Sequence, residues 1–134
     1  MSHGNPANKD DKAAIDAHFE RVAQTYEKGG QGLQNAICRT LLSMTAELNH
    51  PVTKSSVVLD NASGPGILTG ELLKQCQPNE VPELHAADFS AAMIRVLDAK
   101  GWGEKHGVKA AVMDAQDLQY PEAMFTHVFM SMHP

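Results

Sequence analysis

A doubly wound α/β fold is what this sequence predicts, with parallel strands in the order 3-2-1-4 and two helices ahead of them. Three observations predict it. From residue 56 onward, short apolar runs alternate with segments of helical periodicity. Aspartates close the first three of those runs, at Asp60, Asp88 and Asp114. A Gly64-Pro65-Gly66 loop separates the first run from the helix that follows. Strands and helices alternating at this spacing form right-handed βαβ units. In such sheets the ligand crevice lies at the carboxyl ends of the strands where the order reverses, here strands 1 and 4.

Taken in order, residues 1–9 read as a polar, flexible tail. Asp10 or Asp11 can cap a helix running to about Lys28, with Gly29-Gly30 as its stop. Its apolar stripe is Ile15, Phe19, Val22 and Tyr26. A second helix carries Leu33, Ile37, Leu41, Met44 and Leu48 on one face and ends before Pro51. Ser56 to Asp60 is a strand too uniformly apolar to be half-exposed, as in parallel sheets covered on both faces. Ile67 to Gln75 reads as a helix, stopped by Pro78. Leu84 to Asp88 is the second strand. Ser90 caps a helix through Lys100, which Gly101 ends. Val108 to Met113 is the third strand and Thr126 to Met132 the fourth. The expected organisation is therefore a tail at 1–9, helices over 10–50 and a ligand-binding βαβ half-domain over 51–134.

Composition excludes several classes. The 134 residues are 43% hydrophobic, enough for one small folded domain and too few for two. A net charge of −5, with no run of Lys or Arg, argues against nucleic acid. Cys38 and Cys76 lack metal-ligand spacing, and no ligand pair forms among the scattered histidines, so no metal is expected. The opening MSHGNPANKDDK has no apolar run and no segment is long enough to span a bilayer. These features make a cytoplasmic chain with reduced thiols and no membrane contact the expectation.

"VVLDNASGPG", residues 57–66, raises the question of ligand. A glycine loop after a strand commonly cradles phosphate. The dinucleotide fingerprint is G-x-G-x-x-G, but Thr69 stands where the third glycine belongs. Asp88, following Gly66 at roughly the ~20-residue spacing of a ribose-binding acid, fits the ribose half. Asp60 does not fit the pyrophosphate half. Two like charges ~4 Å apart at an effective dielectric of ~20 repel by about 4 kcal/mol. A cofactor with a ribose, no phosphate and positive groups removes the conflict, and S-adenosylmethionine is such a cofactor.

The motifs around these residues carry a family likeness. "VVLDNASGPGILTGELL" resembles the first motif of class I S-adenosylmethionine-dependent methyltransferases, D-x-G-x-G-x-G, with Asp60, Ala62, Gly64 and Gly66 in its places. "LHAADFSAAMI" resembles the next motif and "VMDAQDLQYPEAMFTHVFMS" the third. The opening "HFERVAQTYEKGG" resembles the helix that many small-molecule members place over the cofactor. The resemblance spans residues 18–132 and implies a Rossmann-like sheet. It implies that the backbone of Ala62, Ser63 and Gly64 approaches the cofactor's amino-acid end. Asp60 would organise the loop or receive the ammonium through water. Asp88 would accept both ribose hydroxyls, Phe89 and Met93 would lie along the adenine, Asp114 would accept the adenine amino group, and Ala115 would donate a backbone N–H to the ring. Tyr26 would close over the methionine end, unless it is plain core stripe.

Two departures from the family pattern matter. Ala62 replaces the usual first glycine, which is tolerable with a negative φ, the expectation here. The family's sheet also continues past strand 4, so this chain reads as truncated there. His133, just past strand 4, is the one weak candidate for taking a proton from a hydroxyl substrate. The function implied is methyl transfer to a small molecule, or the cofactor-binding half of such an enzyme. A non-catalytic binding or partner protein remains open, as does another reaction, such as a cyclisation, on the same fold. Strand 4 would be a bare apolar edge, so self-association or a partner chain covering it is expected.

Overall fold

The computed structural model describes residues 31–131, and eight elements lie within them. They are α1 (Gln31–Glu47), β1 (Val57–Asn61), α2 (Ile67–Gln75), β2 (Glu83–Asp88), α3 (Ala91–Asp98), α4 (Trp102–His106), β3 (Lys109–Val112) and β4 (His127–Phe129). The strands form one sheet in the order β3-β2-β1-β4, every pairing parallel. This is the Rossmann-like arrangement the sequence predicts. The tail and the first expected helix, Tyr26 included, lie outside the described residues, as does His133.

β1 is flanked on both sides, by β2 and β4, which explains its unbroken apolar run. Alternate side chains along the sheet then face opposite layers. Val58, Leu84, Ala86 and Phe129 join a buried cluster with Cys38 and Leu42 of α1, Leu68 and Leu72 of α2, and Leu97 of α3. On the other face Leu59 is buried, and His85 meets the rings of Tyr120 and Phe125 edge-on at 5.6 and 5.4 Å. Val128 and Met130 are exposed there. No helix among the described residues is long and apolar enough to cross a membrane.

The buried seam of α1 differs from expectation. Leu33, Met44 and Leu48 are exposed, while Cys38 and Leu42 are the residues turned inward, with Leu41 packed beside them. The reason is a polar contact that sets the helix's rotation. Glu71 of α2 is buried to 4% and accepts from Asn35 Nδ2 and Arg39 of α1, both at 2.9 Å, and from Lys74 at 3.0 Å. Burial alone would push this carboxyl up, but the three donors outweigh it and hold the pKa below its ordinary value. Glu71→Ala should cost about 1–2 kcal/mol at neutral pH, since the abandoned Arg39 and Lys74 return to solvent. A depressed carboxylate contributes stability present above its unfolded pKa and lost as pH falls through the folded one. The gap between variant and wild type in urea titrations should therefore close on acidification below the ordinary value of 4.5.

A short helix, α4, was not expected from the sequence. Gly101 and Gly107 bound it, with φ of 77° and 72°. Between them stand five residues with a single large apolar one, Trp102, too few to show helical periodicity. The Trp102 ring packs on the side of α2 that Gly66 and Gly70 leave without side chains. Lys100 stands over the same ring, its Nζ 5.0 Å from the centroid.

Candidate functional site

The carboxyl ends of β1 and β2 meet at a tightly bonded loop. Asp60 is paired in register with Ala86 of β2 and Phe129 of β4, so it sits in the middle of the sheet at the mouth of the glycine loop. The chain then turns through Ala62, Gly64 and Gly66, with φ of 55°, 56° and 88°. Ser63 N–H donates to the Ala87 carbonyl at 2.9 Å, and Gly66 N–H to the Ser63 carbonyl at 3.0 Å. Lys100 Nζ donates to the Pro65 carbonyl at 2.7 Å, tying the loop to the end of α3.

The φ of Ala62 overturns the expectation of a negative value. The left-handed step there turns the loop so that Ser63 and Gly64 can bond across to β2. Glycine adopts it freely, whereas alanine does so at a cost of roughly 1–2 kcal/mol. The methyl group is therefore carried under strain that the bonds on either side maintain.

Asp88 closes β2 and is 9% exposed. Its Oδ1 accepts from Gly64 N–H at 3.0 Å and its Oδ2 from Ser90 N–H at 2.9 Å. Ser90 also caps α3, its hydroxyl accepting from Met93 N–H at 3.3 Å. The carboxylate is thereby fixed between the loop and a helix start. A carboxylate offers about four lone-pair directions, and these backbone bonds occupy one on each oxygen. The directions that remain can take two hydroxyls on neighbouring carbons.

Asp60 is 1% exposed, and its two oxygens differ. Oδ2 accepts from the Thr69 hydroxyl at 2.7 Å and from Thr69 N–H at 3.3 Å. Oδ1 is buried with no hydrogen-bond partner among the described residues. Burial pushes the carboxyl up to about 7, the Thr69 bonds pull it down, and the nearby Asp88 charge adds to the rise. Sequence reasoning registered Thr69 only as a missing glycine. Its spacing from Asp60 is the signal that was there to be used, because the first turn of a helix leaves N–H groups in want of an acceptor.

The other expected residues are placed as follows. Ser63 is buried, with its hydroxyl donating to the Gly64 carbonyl at 3.2 Å. Phe89 is 51% exposed next to Asp88, while Met93 is buried to 2% in α3, so Phe89 is the one with a ring face free to meet solvent. Asp114 is exposed, its Oδ1 accepting from Gln116 N–H at 2.9 Å, and Ala115 beside it is half-buried. β3 runs alongside β2, with Val112 in register with Asp88, and Met113 N–H donates to the Asp88 carbonyl at 2.9 Å. Asp60 of β1, Asp88 of β2 and Asp114, two residues past β3, thus stand at the same end of the sheet.

Comparison with known proteins places this geometry among relatives. Residues 58–133 match the family model described as a methyltransferase domain. The chain is 30% identical over 120 residues to methyltransferase afvD of Aspergillus flavus, a match over 87% of this chain and 46% of that protein. It is 34% identical over 80 residues to the acetylaranotin bis-thiomethyltransferase of Aspergillus terreus, over 54% of this chain and 28% of that one. The chain thus spans less than half the length of either curated relative. The crystal structure of magnesium protoporphyrin IX methyltransferase from Synechocystis, with S-adenosylmethionine bound, superposes with a TM-score of 0.55. That superposition covers 94% of this chain and 64% of the other at 20% identity, a likeness of fold.

Proposed function

We propose, because this chain belongs to the methyltransferase domain family and has its class I Rossmann-like fold, that it binds S-adenosylmethionine and serves methyl transfer to a small molecule. One observation carries the reading. Asp88 is a nearly buried carboxylate held on both oxygens by backbone N–H groups at 3.0 and 2.9 Å, with one acceptor direction left on each. That is a receptor for the two adjacent hydroxyls of a ribose. Asp60 supports the same cofactor, since its buried Oδ1, with no hydrogen-bond partner among the described residues, can take a positively charged donor.

When bound, the cofactor supplies an electrophilic methyl group on a sulfonium. The residues of this chain hold and orient it. Asp88 anchors the ribose, Phe89 offers a ring beside it, and the exposed Asp114 with Ala115 can bond the edge of a base. The loop from Ala62 to Gly66, cross-linked to β2 and α3, gives a rigid floor for the amino-acid end. Rigid placement is the main requirement of an in-line displacement, which needs little acid–base chemistry. The similarity to the acetylaranotin bis-thiomethyltransferase, whose acceptor is a small molecule by its name, supports a small-molecule substrate here.

Titration calorimetry with S-adenosylmethionine and S-adenosylhomocysteine tests this. Wild type should bind both, and Asp88→Ala should weaken binding by about 10- to 150-fold, corresponding to about 1.5–3 kcal/mol for a hydrogen-bonded charged acceptor. Asp88→Asn, which keeps one acceptor oxygen for the loop, should fall in between. Equal affinity for wild type and Asp88→Ala removes the ribose assignment. NAD displacing S-adenosylmethionine at comparable concentration removes the cofactor.

A further inference from the structure

We propose that Asp60 holds a proton while no ligand is bound and releases it when a ligand bearing an ammonium enters, so that binding is coupled to proton loss and selects a positively charged ligand end. This rests on the cofactor reading above and goes beyond it, since that reading requires no proton to move.

The inference starts from the two oxygens of Asp60. Oδ2 is satisfied by both donors of Thr69, at 2.7 and 3.3 Å. Oδ1 is buried with no partner among the described residues. A buried carboxylate is stable only when paired or fully hydrogen-bonded; otherwise it takes up a proton. None of the described groups packed around Asp60 supplies a countercharge. Across the sheet its register neighbours are Ala86 and Phe129. From α1 it faces Cys38, whose thiol is itself pushed up to about 11 by burial, then by the Asp60 and Glu71 charges, and so stays neutral. From α2 come Thr69 and Glu71, the latter already held by Asn35, Arg39 and Lys74. Ser131, beyond β4, bonds the Cys38 thiol. Asp88, on β2, is a second negative charge and raises the cost of ionising Asp60. Lys100 has its ammonium on the Pro65 carbonyl of the loop, at 2.7 Å. An incoming ammonium supplies both what Oδ1 lacks and the missing positive charge. Its arrival favours the carboxylate, and the displaced proton goes to solvent.

The carboxyl sits at about 7 without ligand, so the gain appears across ordinary pH. Affinity for S-adenosylhomocysteine should rise about tenfold between pH 5.5 and 7.5, after allowance for the ligand's own amino group, which titrates near 7.7–8.0. Calorimetry in buffers of different ionisation enthalpy should count close to one proton released per ligand at pH 5.5. 5′-Methylthioadenosine, which has the ribose and base but no amino-acid end, should bind with no proton release and little pH dependence. Asp60→Asn should bind S-adenosylhomocysteine without releasing a proton. Should that variant fail to fold, the comparison of the two nucleosides on wild type decides the matter. Binding of S-adenosylhomocysteine that is flat across this pH range and proton-neutral overturns the coupling and leaves the cofactor reading standing. Proton release that persists in Asp60→Asn, or that accompanies 5′-methylthioadenosine equally, also overturns it. Failure of both nucleosides to bind at any pH overturns the cofactor reading and this inference with it.

Discussion

Between pH 4 and pH 8, the stability of the ligand-free Asp60→Asn variant should gain on wild type by about 4 kcal/mol, the equivalent of a carboxyl raised from 3.8 to about 7. The folded form keeps the proton until about pH 7, whereas the unfolded carboxyl loses it near 3.8. Over that window the native state binds more protons than the unfolded one. The contribution of Asp60 is therefore fully present below the unfolded pKa and is lost as pH rises through the folded one. Asparagine has no such proton, so the variant escapes the loss. Its amide nitrogen lies unpaired where Oδ1 was, which lowers the absolute stability of the variant at every pH but not the slope. Urea titrations of both proteins at pH 4, 6 and 8 measure the difference, in which all other titrating groups cancel. A constant gap across the three values would show that Asp60 is ionised throughout, as it would be if a donor reached Oδ1 in solution.

Gly66→Ala should be the most damaging small substitution in the glycine loop, with a loss of about 2–5 kcal/mol from two separate causes. The backbone φ of 88° is left-handed, which costs an alanine roughly 1–2 kcal/mol. A Cβ at this position would also stand 2.9 Å from Leu97 Cδ1 and 2.9 Å from Trp102 Cζ3, an overpacking that typically costs a further 1–3 kcal/mol. Neither neighbour is the free end of a flexible chain. Leu97 is buried to 2% and Trp102 is wedged against α2. Gly70→Ala presses on the same ring at 3.0 Å without the backbone term and should cost less. Trp102 is the only tryptophan in the chain, so its fluorescence reports unfolding and local displacement together. In a Trp102→Leu background the penalty of Gly66→Ala should shrink to its backbone part and the Leu97 contact, because contacting residues couple. A penalty unchanged in that background would mean the ring does not stand against Gly66.

Much of the architecture was legible because it is written in local patterns. The helix from Ile67 to Gln75 begins and ends where the sequence predicts, Ser90 caps α3 as expected, and the strand order follows from the alternation of runs. Strand limits shifted by a residue or more, most at β4, which spans only His127–Phe129 against an expected Thr126 to Met132. α3 is shorter than expected, because the chain between Lys100 and Gly107 folds into a helix of its own. The inward face of α1 was misread, since a stripe of leucines and methionines looks the same whether or not a partner helix covers it.

The sequence by itself determined the class of fold, the parallel sheet and the placing of Asp60, Asp88 and Asp114 at one end of it. Apolar period, capping residues and strand-end acids act over a few residues, so they can be read without knowing what lies across the sheet. Only the tertiary structure decided what those acids do. Asp88 is fixed by N–H groups from Gly64 and Ser90, and Gly64 comes to it from the other side of the β1–β2 pairing. Asp60 is satisfied on one oxygen by Thr69 and on the other by nothing described, a state that depends on which side chains close over it. Ala62 takes a left-handed φ because bonds on both sides of it must reach β2. Each of these rests on contacts between residues distant along the chain, and burial, charge and strain are properties of such contacts that no short window of sequence contains.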